Sequence, residues 1–152
     1  DKIAKQDNVF GGQTHDSLPE LERKNKAAEL MPLLRGLCSS DSRMIGHFTD
    51  DPVVLDFINS KDLKRLAAMG TSCPDHFLRT KRLPMVLPSL TELVKNENKI
   101  ESVIQSYLNK YKDAYTKYYN RNKTKGSPSL RDPFPVIVLI PEYGRPGKKH
   151  WT

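Results

Sequence analysis

Residues 135–140, which read Pro-Val-Ile-Val-Leu-Ile, give the strongest strand signal in the chain. A strand with one face in water alternates apolar and polar side chains, whereas an unbroken β-branched run is typical of a strand buried on both faces. Three or four predicted strands alternate with about five predicted helices along the sequence. This alternation predicts an α/β fold, a layered α-β-α domain with a small, mostly parallel or mixed sheet.

A capping box predicts the first helix. The Ser17 hydroxyl can accept a hydrogen bond from the Glu20 amide while the Glu20 carboxylate reaches back to the chain before it. Pro32 is predicted to kink or split this helix, which ends at Gly36 and the polar residues 39–42. The side chains predicted to face the core are Leu21, Ala28, Leu30, Met31 and Leu34.

A strand and two short helices follow. Residues 44–49 are partly apolar and bounded by turn residues, so they predict a strand. Asp51 before Pro52 predicts a helix start with an acidic cap and a proline at the first helical position. A second helix begins near Ser60 and ends at Gly70, a residue type suited to a C-terminal cap. The apolar faces are predicted to carry Val54, Leu55, Ile58, Leu63, Leu66 and Ala67.

The second half of the chain predicts a further strand and the longest helix. Residues 83–87 predict the strand, and the helix runs from Ser89 or Asn98 to Asn120. Residues 124–135 are predicted to form a loop. Side chains three and four positions apart line one face of the helix: Ile100, Ile104, Tyr107, Tyr111, Tyr115 and Tyr118. This pattern favours packing in a core or interface over the stacking of nucleic-acid bases.

Size and composition suit a single polar domain. The chain has 152 residues, of which 37% are hydrophobic and 28% charged, enough for one core and hardly for two. Residues 1–16 show little periodicity and are predicted to be an arm or linker, with residues 17–152 forming the domain. Cys38 and Cys73 form no CxxC motif, so a secreted disulfide scaffold is not indicated.

The net charge of +7 and the pI near 9.4 raise the question of a polyanionic partner. The densest basic run, residues 110–125, is interleaved with tyrosine and asparagine and predicts a solvated helix face. No zinc-finger, RNA-recognition or basic-zipper signature is present, so we expect no nucleic-acid partner. The sequence also lacks an apolar stretch of about 18 residues and the apolar run of a signal peptide. We therefore expect no membrane association and a cytoplasmic location.

Residues 70–81, which read GTSCPDHFLRTK, concentrate the reactive side chains of the chain. Thr71 or Ser72 is predicted to cap a short helix with Pro74 in its first turn. The candidates are Asp75 and His76 for proton transfer, Arg79, Thr80 and Lys81 for phosphate or substrate binding, and His47, Cys73 and His76 for a metal. Arginine, threonine and lysine near a helix end can bind phosphate through charge-assisted hydrogen bonds.

A structural interpretation of the same segment stays open. Its Cys-Pro-Asp-His spacing is no standard zinc pattern. Asp75 near a helix N-terminus suits the helix dipole without further function. Arg79 and Lys81 can equally be surface charges or members of salt bridges.

Five segments, in this order and at these spacings, carry a family resemblance. They are RGLCSS at 35–40, IGHFTDD at 45–51, GTSCPDHFLRTK at 70–81, SPSLRDP at 127–133 and PVIVLIP at 135–141. From about Phe10 to Ile140 the chain resembles the middle region of bifunctional class II aldolase/short-chain dehydrogenase proteins. These join a rhamnulose-1-phosphate aldolase to a lactaldehyde or alcohol dehydrogenase.

The resemblance implies a class II aldolase-like lobe that is part of a longer polypeptide. The implied chemistry of the whole protein is zinc-assisted retro-aldol cleavage of a ketose 1-phosphate, followed by oxidation or reduction of the aldehyde. Zinc and NAD are expected for the full-length protein and neither in this chain, which matches no zinc-binding histidine motif and no GxGxxG. The expected partners are the other domains of the same polypeptide and a phosphosugar substrate.

Two hypotheses about the chain itself follow. In the first, it contributes to a phosphosugar site through His76, Arg79 and Lys81. In the second, it is a non-catalytic module that joins the aldolase and dehydrogenase domains. A concave pocket onto which the three side chains converge favours the first, and side chains that point to solvent or form ion pairs favour the second.

Overall fold

The computed structural model describes residues 9–39, 44–95, 99–143 and 145–149, with the last range described by its backbone alone. Six helices and four strands lie in this part of the chain. The helices are α1 (Glu20–Leu37), α2 (Pro52–Ile58), α3 (Leu63–Met69), α4 (Pro74–Thr80), α5 (Leu90–Val94) and α6 (Ile100–Asn122). The strands are β1 (Ile45–Thr49), β2 (Met85–Val86), β3 (Val138–Leu139) and β4 (Arg145–Lys149).

A short parallel pair, β2 and β3, lies between two groups of helices. Met85 pairs with Val138 and Val86 with Leu139. Val138 packs in the larger core cluster, with Leu30 and Leu34 of α1, Leu90 and Leu93 of α5, and Ile104 and Leu108 of α6. Leu139 packs in the smaller cluster, with Ile58 of α2 and Leu63 and Ala67 of α3. The run at 135–140 is therefore buried on both faces, and the predicted α/β layering is confirmed.

The second pair of strands is antiparallel and separate from the first. β1 and β4 pair with Ile45 opposite Lys149 and Thr49 opposite Arg145. The described strands thus form two sheets of two strands each. The regular strand at 135–140 is limited to Val138–Leu139, and the predicted strand at 83–87 to Met85–Val86. The parallel sheet is the shorter of the two, because β2 and β3 pair over only two residues.

The capping box predicted for the start of α1 is not formed. The helix begins after Pro19, which makes no side-chain cap, and the Ser17 hydroxyl instead accepts a hydrogen bond at 2.8 Å from the Asn59 side-chain amide. Leu21 is 72% exposed, and Ala27 rather than Ala28 enters the core. Both errors follow from placing the apolar face from sequence spacing alone.

α1 continues through Pro32 and ends close to the predicted residue, Gly36. Pro32 lies inside the helix without splitting it, since α1 runs without a break from Glu20 to Leu37. The helix ends one residue past Gly36, where the Ser39 hydroxyl donates to the Arg35 carbonyl oxygen at 2.6 Å. The remainder of the polar cluster at 39–42 lies outside the described residues.

Two helices, α5 and α6, lie where the sequence predicts one long helix that starts at Ser89 or Asn98. Ser89 caps the short α5, where its hydroxyl oxygen accepts from the Glu92 amide at 3.3 Å. The long helix, α6, begins separately at Ile100, and the alternative start at Asn98 lies outside the described residues. The core side of α6 holds Ile104 and Leu108, and the predicted tyrosines lie half-buried beside them. Leu108 is absent from the predicted stripe.

Asn59, at the end of α2, joins two distant segments directly and a third through Glu142. Its side chain is fully buried, donates to Ser17 and accepts from the Glu142 amide at 2.6 Å. Its backbone carbonyl oxygen accepts from the Thr14 amide at 2.7 Å. The Glu142 carboxylate in turn accepts from the Thr91 amide at the start of α5. The segment around residue 14 is thus attached to the fold, while the proposed boundary between arm and domain at residue 16 stays a prediction.

Tyr143 carries a buried hydroxyl without a hydrogen-bond partner among the described residues. The residue is fully buried and its ring lies 5.0 Å from that of Phe48. Burial raises the pKa of the phenol above its usual value. An unpaired buried hydroxyl destabilises the folded state, since it has lost its bonds to water.

Replacing Tyr143 by phenylalanine is expected to raise the free energy of unfolding by about 1 kcal/mol, because the unpaired hydroxyl is removed and the ring is kept. The gain is expected to grow above pH 10, where the unfolded wild-type phenol ionises and the buried one does not. Urea unfolding of both chains at pH 7 and pH 10.5 measures this. A loss of stability at pH 7 would show that the hydroxyl has a favourable partner.

No helix among the described residues is long and apolar enough to cross a bilayer.

Candidate functional site

The segment 70–81 forms a closed excursion that carries α4. Gly70 ends α3 with φ 85° and ψ −161°, a backbone conformation reserved for glycine. A Cβ on Gly70 would lie 2.8 Å from the Arg82 carbonyl oxygen. The two ends of the excursion therefore meet, and α4 stands out between them.

α4 lies on the surface of the domain. None of its residues is buried, and Leu78 is 60% exposed. Cys73 occupies its N-cap position and makes no side-chain cap, so the predicted cap by Thr71 or Ser72 is wrong. Pro74 does occupy the first turn, as predicted. Little in this helix serves the hydrophobic core.

The predicted catalytic residues both face solvent. Asp75 and His76 are exposed, and the Asp75 carboxylate accepts from the Arg79 guanidinium at 3.2 Å within the helix. The Thr80 hydroxyl donates to the His76 carbonyl oxygen at 2.8 Å. The structure thus pairs Asp75 with Arg79 rather than with His76. Their predicted roles in catalysis and substrate binding stay predictions.

Lys81 turns inward and joins two of the segments that carry the resemblance. Its ammonium donates to the Asp132 and Phe134 carbonyl oxygens and lies 3.4 Å from the Asp132 carboxylate. It also lies 4.9 Å from the centre of the Tyr115 ring. The Lys81 side chain is only 10% exposed. We call this meeting of segments 70–81 and 127–133 the Lys81–Asp132 junction.

The tyrosine face of α6 supports the junction. The Tyr111 hydroxyl donates to the Leu83 carbonyl oxygen at 2.8 Å. The Tyr118 ring meets Phe77 of α4 edge-on at 6.3 Å, and the Arg82 guanidinium lies 5.2 Å from the same ring. Consecutive cations, Lys81 and Arg82, thus contact tyrosines one helical turn apart.

Burial controls the ionisation of these phenols. It is the main cause that raises the pKa of Tyr111 and of Tyr115 above their usual value. Both groups therefore stay neutral and able to donate a hydrogen bond at physiological pH. The face combines neutral phenol donors with fixed cations.

The three metal candidates do not assemble into a zinc site. His47 is exposed on β1, Cys73 is half-buried before α4, and His76 is exposed on it. Across the described residues, no group of three or more histidine, cysteine or carboxylate side chains is placed to hold a metal. Zinc sites need three or four such ligands together. The residues described here do not fit the zinc that the resemblance implies for the full-length protein.

An apolar cleft of about 370 Å³ opens beside the excursion. Its walls include Val53 and Phe57 of α2, Leu66 of α3 and Ile137, and Lys81 lies at its edge. Among the described residues, His76 and Arg79 are not part of this lining. The three candidates of the first hypothesis therefore do not converge on one concave pocket.

Sequence reasoning missed several residues that the structure places around the junction. They are Asp132, Arg131 and Arg82. Asp132 and Arg131 belong to the segment SPSLRDP, which carries part of the family resemblance and is predicted to lie in a loop, but to which the sequence assigns no site residue. The available signal was the run Arg131-Asp132-Pro133 within this segment. Its partner, Lys81, lies 51 positions away from Asp132.

The comparisons with known proteins agree with this architecture. Residues 25–147 match the model of the family "Aldolase class II, second domain". The chain belongs to this family. It is also 34% identical over 139 residues to the protein named uncharacterized oxidoreductase YuxG of Bacillus subtilis (strain 168).

The relative is much longer than this chain. The aligned region covers 91% of the chain and 20% of the relative. No solved structure matches the chain. The predicted resemblance to an aldolase-like middle region of a larger protein is confirmed at the level of the family.

Proposed function

We propose that this chain is the second aldolase-type domain of a longer polypeptide that combines a class II aldolase with an oxidoreductase. The family match supports the first half of the proposal, and the name of the Bacillus relative supports the second. The small share of that relative covered by the chain supports a multidomain context. We expect this polypeptide to lie in the cytoplasm.

The proposed reactions of the whole polypeptide are cleavage of a ketose 1-phosphate, such as rhamnulose 1-phosphate, and interconversion of an aldehyde and an alcohol. Zinc would act as a Lewis acid in the first reaction and NAD as a hydride carrier in the second. Neither group is assigned to residues of this chain. Both are expected from other parts of the polypeptide.

The role we propose for the chain is architectural. The observation that carries it is the position of α4 on the surface of the domain. This helix belongs to segment 70–81, which carries the family resemblance, and its side chains Leu78, His76 and Arg79 are exposed. Lys81 at the same time holds the base of the excursion through Asp132. This arrangement suits a helix that packs against a neighbouring domain.

A direct test uses the full-length polypeptide with Leu78 replaced by aspartate. The buried contact would be lost, so limited proteolysis should release the domain about tenfold faster. Leu21→Asp is the matched control, because Leu21 is exposed to a similar degree at the start of α1. Equal release rates for the two variants would contradict docking through α4.

The second candidate role is a direct contribution to the phosphosugar site by α4, which the exposure of His76 and Arg79 favours. The double variant His76→Ala/Arg79→Ala of the full-length polypeptide tests it by its kcat/KM for aldol cleavage. We expect a change of less than about threefold, as for surface residues. A loss of about a hundredfold or more, with normal folding, would assign these side chains to the site instead.

A further inference from the structure

Four side chains beside the Lys81–Asp132 junction have polar groups that make no hydrogen bond or ion pair within the part of the chain that the structure describes. Among the described residues, the guanidinium groups of Arg82 and Arg131 make no hydrogen bond or ion pair with the protein. The same holds for the hydroxyls of Tyr115 and Tyr118, which are half-buried. Their neighbours Tyr111 and Tyr119 differ, since both donate to backbone carbonyl oxygens.

Neighbouring positions on α6, one cation–ring contact and the electrostatic effect of Arg131 on Tyr115 relate the four groups to one another. Tyr115 and Tyr118 are one turn apart on α6, so their side chains are neighbours. Arg82 lies over the Tyr118 ring at 5.2 Å. Arg131 directly precedes Asp132, whose carboxylate is 3.4 Å from the ammonium that lies over Tyr115. Arg131 is also the charged group that most lowers the pKa of Tyr115, against the effect of burial.

The charge balance of this surface is positive. Asp132 offsets Lys81, which leaves the two arginines uncompensated. The nearest acidic residue of α4, Asp75, is paired with Arg79. The contact of Arg82 with the Tyr118 ring places one guanidinium beside the phenol hydroxyls. The surface therefore offers positive charge and the donor groups of two arginines and two phenols, beside the partly exposed Asp132 carboxylate that offsets Lys81.

We propose that Arg82, Arg131 and the hydroxyls of Tyr115 and Tyr118 form a binding site for a phosphate monoester. Two guanidinium groups match the oxygens of a phosphate in bidentate geometry, and phenol hydroxyls can donate to the remaining oxygens. Lys81 and Asp132 position the site from beneath and do not contact the ligand.

The site deepens the function proposed for the whole polypeptide, because a ketose 1-phosphate carries such a group, and it gives the chain a binding role in addition to its architectural one. The proposal that the bound phosphate monoester is a ketose 1-phosphate rests on the proposed function. The phosphate site itself does not, since this chain supplies every residue of the site. Binding of phosphate by the 152-residue chain therefore tests the site separately from docking through α4.

The experiment titrates the isotope-labelled 152-residue chain with inorganic phosphate, glycerol 3-phosphate and AMP, followed by NMR of backbone and arginine side-chain N–H groups. We expect saturable shifts at Arg82, Arg131 and the Tyr115–Tyr118 turn. Tighter binding of glycerol 3-phosphate than of AMP would indicate that the natural ligand is a sugar phosphate. Tighter binding of AMP would indicate a nucleotide. Shifts spread over all basic residues without saturation would overturn the site.

Variants assign the binding to these side chains. Arg82→Met/Arg131→Met is expected to weaken phosphate binding by about tenfold or more, because hydrogen bonds to a charged group are lost. Tyr115→Phe/Tyr118→Phe keeps the rings and should weaken it less. If the methionine variant does not fold, Arg82→Lys/Arg131→Lys replaces it in the test. This variant keeps both positive charges but loses the bidentate guanidinium geometry, so it should retain only part of the affinity for phosphate.

Arg35→Met is the control, since it removes one exposed positive charge at the end of α1. Unchanged binding by this variant supports the site. An equal loss with Arg35→Met, or unchanged binding by the double methionine variant, overturns it.

Discussion

Replacing Gly70 by alanine is expected to lower the free energy of unfolding by about 3 kcal/mol. Part of the loss comes from the backbone, since φ 85° with ψ −161° is strained for any residue with a Cβ. The rest comes from the contact of the new Cβ with the Arg82 carbonyl oxygen at 2.8 Å. That neighbour is backbone, so it cannot rotate away as a side chain would. Urea unfolding monitored by circular dichroism measures the change.

Gly36→Ala provides a control with the opposite sign. Gly36 lies in the last turn of α1, and nothing lies within 4 Å of a Cβ built on it. Alanine is the better helix former, so this variant is expected to gain about 0.5 kcal/mol. If Gly70→Ala is as stable as the wild type, then the chain near residue 70 has another conformation and the two ends of the excursion do not meet.

Gly70 also shows which part of the fold the sequence predicts well. Its role as a C-terminal cap, like the start of α2 at Pro52, depends on the backbone preferences of one or two residues. The predicted acidic cap of α2 is wrong, because the Asp51 side chain makes no cap hydrogen bond and accepts from the Thr49 hydroxyl at 3.0 Å instead. The strand at 45–49 and the two-faced burial of 135–140 depend on short patterns. Such signals survive in the folded chain because nothing distant competes with them.

Ser17 illustrates where local reasoning fails. Its capping box with Glu20 is a sound local prediction, but the Asn59 amide, 42 positions away, takes the hydroxyl. The same segment of the chain also bonds to Glu142. A buried asparagine needs partners for both its donor and its acceptor atoms, and this need overrides a surface cap.

The candidate site was only partly predictable for the same reason. The composition of residues 70–81 identified a reactive segment, and the resemblance identified 127–133 independently. Their contact through Lys81 and Asp132 spans 51 positions, and no periodicity encodes it. The direction of each side chain decided the outcome: Lys81 turns inward, while His76 and Arg79 face solvent.

Lys81→Met is expected to destabilise the domain by about 2 kcal/mol. The methionine keeps the aliphatic stem beside the cleft, but the Asp132 and Phe134 carbonyl oxygens lose their donor and the Asp132 carboxylate loses its counter-ion. Hydrogen bonds to a charged group contribute roughly 1.5–3 kcal/mol. Because Asp132 is 36% exposed, water recovers part of its solvation, and the loss stays below that of a fully buried pair.

Lys64→Met is the matched control, since Lys64 is an exposed lysine on α3 and its replacement should change stability by less than about 0.5 kcal/mol. The free energies of both variants come from urea unfolding at two salt concentrations. A loss for Lys81→Met that persists at high salt fits the half-buried geometry of the junction, because salt screens exposed ion pairs far more than buried ones. Equal behaviour of the two lysine variants would mean that Lys81 is a surface charge, and segments 70–81 and 127–133 would then be held together by the tyrosine face of α6 alone.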